Sequence, residues 1–146
     1  MLEFGNIIYF DPFYFKNGNT AKPKYFLVLT HSENNAVIAS LPTRKDTIPH
    51  DEVIDEGCLE LPEINLNCFV IPANIEVTDC GKRFDFRTHL YGHQLDDYHV
   101  DVINETYLNE GTDYEIWGRM KQEIFDRVLL CFRTSKSVKW KYRKHL

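Results

Sequence analysis

The chain has 146 residues, 43% hydrophobic and 14% aromatic, which fits one globular domain with a core of its own. Its formal net charge of -5 excludes a protein that coats nucleic acid over its whole surface. No apolar run reaches the roughly 18 to 20 residues that a bilayer span requires, so a soluble protein with no membrane partner is expected.

The N-terminus, MLEFGNIIYF, lacks the basic region and small-residue cleavage site of a signal peptide. Residues 7–10 read as a strand, broken by Asp11-Pro12, and KNGNTAKPK, from Lys16 to Lys24, reads as a basic loop rich in turn formers. Two β-branched and aromatic runs follow, at 25–30 and 36–41, separated by a polar turn. They predict a hairpin with Lys24 and Thr43 near the same end, so that a cation and a hydroxyl face one surface. Beyond RKDTIPHDEVIDEG, the segment CLELPEINLNCFVIP predicts strands at 58–61 and 67–71, and residues 75–78 suggest one more short strand.

The period then changes. Leu95, Tyr98 and Val102 fit a helix face, with Asp96 and Asp97 near the positive end of its dipole. Gly111 interrupts it. Tyr114, Trp117, Met120, Ile124, Val128 and Cys131 recur at three-and-four spacing and predict a longer helix running to Phe132, with Trp117 and Met120 as core residues. The expected architecture is mainly β with α: a small β-barrel over residues 1–132, with helices at its C-terminal end.

Residues 133–146, RTSKSVKWKYRKHL, form a basic tail with six of the 17 Lys and Arg and no Asp or Glu, beside a preceding 132 residues of net charge -11. Trp140 and Tyr142 between its lysines suit stacking on bases and neutralising phosphates; the plainer reading is a solvated terminus that pairs with its own acidic domain.

Cys58, Cys68, Cys80 and Cys131 form no C-x-x-C pair, so four free thiols and a reducing cytoplasm are expected. Among the six histidines, His89 and His93 are four apart, but Gly92 between them argues for a loop and no glutamate takes the zincin position. No metal and no cofactor is predicted. GxSxG, P-loop and GxGxxG patterns are absent, which leaves acyl transfer, nucleotide hydrolysis and dinucleotide binding without support. The carboxylates of DEVIDEG and LDD read as a solvated loop and a helix start.

The order of pieces resembles the MazF/PemK-like toxins of bacterial toxin-antitoxin systems. Gly5-Asn6-Ile7-Ile8 is similar to that family's opening Gly-Asp-Ile-Val, and KYFLVLT lies where it has Arg-Pro followed by an apolar strand. IASLPTRKDTIPHDEV, CFVIPANIEVTDCGKRF and QLDDYHVDVINETYL resemble its later segments in the same order, over roughly residues 5–108. The resemblance implies an SH3-like barrel, a homodimer, an antitoxin partner and metal-independent cleavage of single-stranded RNA by attack of the ribose 2′-hydroxyl. It places the family's catalytic arginine on Lys24 and its threonine or serine on Thr43, a cation and a hydroxyl for the developing phosphorane.

The departures are specific. Lys24 lacks the planar fork of arginine, the following proline is Tyr25, and the later arginine and aspartate of some members fall on Ile71 and Ala73. Compensating RNA-binding cations are expected in Lys16 and Lys22 of the first loop, in Arg44 and Lys45, and in a second cluster of Lys82, Arg83, Arg87 and His89; His89 or His93 is a candidate proton carrier. Two other functions stand beside the ribonuclease. One is a catalytically degenerate module that binds nucleic acid or a protein. The other is an assembly domain in which the 114–132 helix packs on another chain.

Overall fold

In the computed structural model, residues 1–41 and 54–146 are described. The apolar runs at the N-terminus form three long strands, β1 (Asn6–Phe13), β2 (Lys22–His31) and β3 (Asn35–Leu41). Ser32 closes the β2–β3 hairpin: its hydroxyl accepts from the backbone of Asn35 at 3.2 Å, and its own N–H donates to Asn35 O at 2.8 Å. The chain continues through β4 (Gly57–Leu61), β5 (Leu66–Ile71), β6 (Thr88–Tyr91), β7 (Asp96–His99), α1 (Val100–Thr106), β8 (Tyr114–Arg119), α2 (Gln122–Arg133) and α3 (Trp140–Arg143).

The strands make two antiparallel sheets, one in the order β7-β3-β2-β1-β8 and one in the order β4-β5-β6. Both faces of the larger sheet are covered, so β2 is apolar in succession rather than in alternation. Leu27 and Leu29 enter a core with Ile7, Phe69, Leu90 and the apolar face of α2, while Phe26 and Val28 enter a second core with Phe10, Phe13, Tyr98 and Tyr107. Gly92, in the turn after β6, lets that turn touch α2 and the C-terminal segment; a Cβ there would collide with Asn67 Oδ1 and stand 2.8 Å from Phe132 and 2.9 Å from Val138. This is mainly β structure with helices, as the residue pattern predicts.

Four local expectations are corrected. Asp11-Pro12 does not end the first strand: β1 runs on to Phe13, with a shift of register against β2 between Phe10 and Phe13. Asp96 and Asp97 do not open a helix; they lie on the edge strand β7 against Val37 and Ile38, and the helix begins only at Val100. Tyr114 and Trp117 belong to β8, which pairs with β1, because the helical face begins at α2 with Ile124 and Phe125. Cys58 and Cys131 are joined in a disulfide between β4 and α2. That bond removes the cysteine argument for a reducing compartment. No helix among the described residues is long and apolar enough to cross a membrane.

The C-terminal segment is built into the fold. Val138 and Tyr142 are buried in the same core as α2, and the Arg143 guanidinium donates to Ser135 O at 3.0 Å. Tyr142 is therefore not free to stack on a base, whereas Trp140 is 65% exposed, with the Arg143 guanidinium 5.2 Å from its ring.

Candidate functional site

Period-two alternation along β2 puts Lys22, Lys24 and Phe26 on one face, and β3 sets Ile38 and Ser40 beside them. Asp96 and Tyr98 of β7 form the far wall, and Phe15, Asn19 and Thr20 of the β1–β2 loop form the near one. Together they enclose an open groove of about 510 Å³, floored by apolar side chains and edged by two ammonium groups.

Lys24 is the half-buried cation of this groove. Burial, with the neighbouring Lys22 charge, pushes its pKa below the ordinary 10.5, and no carboxylate among the described residues forms an ion pair with it. Lys22 is exposed, its ammonium 5.9 Å from the Phe15 ring. Thr43, Arg44 and Lys45 lie outside the described residues.

Lys16 has another role than the one expected from sequence. Its ammonium bridges Asp96 at 2.7 Å and Asp97 at 3.2 Å, and donates to the Asp97 carbonyl at 2.6 Å. Burial alone would lower its pKa; the hydrogen bonds and charges of the two aspartates outweigh this and raise it to about 12. The Asp97 carboxyl shows the converse. Burial pushes it up, but the Lys16 bond and charge and a 3.2 Å hydrogen bond from the Tyr142 hydroxyl hold it below its ordinary 3.8. Lys16 thus latches the β1–β2 loop over the edge strand beside the groove.

The second basic cluster does not join this site. Lys82 lies over the Trp117 ring at 5.3 Å, and Arg83 binds Glu76 at 3.2 Å and the Asn74 carbonyl at 2.6 Å. Arg87 faces Asp55 at 3.9 Å. His89 is buried within β6, its ring stacked on Tyr91, so it cannot meet RNA at the surface; His93 is held against the backbone of Asn67. Ile71, which the sequence resemblance sets against an arginine of some MazF/PemK-like toxins, is buried in β5. Among the described residues no group of three or more His, Cys, Asp or Glu is arranged to hold a metal ion.

Residue reading missed the groove walls. Phe15, Ser40, Asp96 and Tyr98 converge only once the β7–β3 pairing is known. Compared with known proteins, the chain matches no family model, no curated protein and no solved structure.

Proposed function

We propose that this protein is a metal-independent endoribonuclease of the MazF/PemK type, on an SH3-like barrel, that cleaves single-stranded RNA in the groove between the β1–β2 loop and β7. The observation that carries the reading is Lys24: a half-buried cation without a carboxylate partner among the described residues, beside Lys22 and between aromatic walls. Phe15, only partly buried, offers a face for a base, while the two ammonium groups meet backbone phosphates. A lowered pKa makes the Lys24 ammonium a readier proton donor, which suits it both to balance the phosphorane and to protonate the departing 5′-oxygen. Thr43, two residues beyond the end of β3 in the sequence, is the hydroxyl that the family resemblance assigns to this chemistry. Asp96 is the groove carboxylate placed to accept the 2′-hydroxyl proton once an RNA phosphate draws Lys16 away from it. A homodimer and an antitoxin whose acidic segment fills the groove complete the proposal.

The test is cleavage of a mixed-sequence single-stranded RNA by pure protein in EDTA, with a Lys24→Ala, Thr43→Ala double variant alongside. Cleavage that falls at least about a hundredfold in the variant supports the assignment. Cleavage unchanged in the variant removes it.

A second reading, a degenerate binding module, is favoured by two observations. Lys16 and Asp96 neutralise one another, and a buried Ile71 stands where some family members carry an arginine. It predicts RNA binding that depends on Lys22 and Lys24 with no cleavage at any protein concentration.

A further inference from the structure

A second cleft, of about 340 Å³, lies between the β2–β3 turn and α3. Lys141, Lys144, His31 and His145 line it, together with Ser32 and Asn35 of the turn. In a chain of net charge -5 this is a local concentration of basic groups. The carboxylate in its lining, Asp97, is already engaged by the Lys16 ammonium and the Tyr142 hydroxyl, each at 3.2 Å. Burial of Val138 and Tyr142 fixes the backbone that presents these lysines, so they are not the freely moving charges of a solvated tail.

The cleft is also adjacent to the groove. Asp96 lines the groove and Asp97, the next residue, lines the cleft, so only the edge strand β7 separates them. We infer that the cleft is a second phosphate-binding subsite, which takes a backbone phosphate of the same RNA strand after that strand crosses β7. This rests on the RNA reading of the groove. It makes the site longer than the groove alone, and gives a long strand an affinity that a short one lacks.

The test compares binding of two non-cleavable 2′-O-methyl oligonucleotides, one of about four nucleotides and one of about twelve. The proteins are the parent chain, Lys24→Gln, the double variant Lys141→Gln, Lys144→Gln, and a charge-matched control, Lys136→Gln, Lys139→Gln, with the melting temperature of each recorded. Lys24→Gln should weaken both lengths. The cleft variant should weaken only the long strand, by about tenfold, and lower its salt slope by about one, while the control leaves both unchanged. If the cleft variant and the control weaken the long strand equally, the effect is general charge and the subsite is wrong. A long strand that binds no tighter than a short one also overturns the subsite while leaving the groove in place. If the parent binds neither length, the RNA reading fails and the subsite falls with it.

Discussion

At the scale of single residues the difference between Lys24 and Lys16 organises the account. Both are lysines of one basic segment, yet burial beside Lys22 lowers the pKa of one and two aspartates raise that of the other to about 12. Lys24→Arg should therefore preserve RNA binding or strengthen it, because the guanidinium fork grips phosphate with two bonds. It should also slow cleavage where proton donation matters, which a kcat and KM comparison would separate. The latch has a defined pH window. Asp97 has a depressed pKa, so its contribution is present above the ordinary value of 3.8 and is lost as pH falls through the lower folded value. Lys16 has a raised pKa, so its contribution is present below 10.5 and is lost as pH rises through about 12. Asp97→Asn should cost less than about 1 kcal/mol, since the pair is partly exposed, and the cost should stay level from about pH 5 to 9 and shrink as pH falls below the ordinary carboxyl value of 3.8. Chemical denaturation across that range is the check. Lys24 was legible in the sequence because it opens an apolar run; the pairing of Lys16 was not, since its partners are 80 residues away in a strand that resembled a helix start.

At the scale of elements, the joints between the sheets and α2 bear the strain of substitution. Gly92→Ala should destabilise by about 1 to 3 kcal/mol, because the added methyl meets Asn67, Phe132 and Val138 at once, and a denaturant midpoint with unchanged m-value would show it. The Cys58–Cys131 bond closes a span of 73 residues between β4 and α2, so Cys58→Ala should cost about 2 to 4 kcal/mol. The parent in reductant should melt near the temperature of that variant, whereas identical melting of oxidised parent and variant would deny the bond a stabilising role. The hairpin, β4 and β5 were readable because alternation and turn residues agreed there. The region from Tyr114 to Met120 was not: its aromatic spacing continues the helical spacing of α2 without a break, and only pairing with β1 makes it a strand. The disulfide left no spacing signature, because the two cysteines meet only when α2 lies across the small sheet.

At the scale of the whole molecule, the acidic body, the groove and the basic C-terminal segment form one surface plan. Mainly β architecture with helices was legible from composition and period. The join of the tail to the core was not, since Val138 and Tyr142 sit among lysines and look solvated. With the tail folded onto the body, groove and cleft lie on either side of one edge strand, so under the proposed function a single RNA strand would engage both. The central claim is that 2′-hydroxyl chemistry takes place at Lys24. The measurement that tests it most directly is mass spectrometry of product ends, in EDTA, from an all-ribose strand and from the same strand with every 2′-hydroxyl replaced by hydrogen. The account predicts 2′,3′-cyclic phosphate ends from the first and no products from the second, with cleavage of the all-ribose strand lost to background in Lys24→Ala. Equal cleavage of the two strands, or cyclic ends made at full rate by Lys24→Ala, would contradict it.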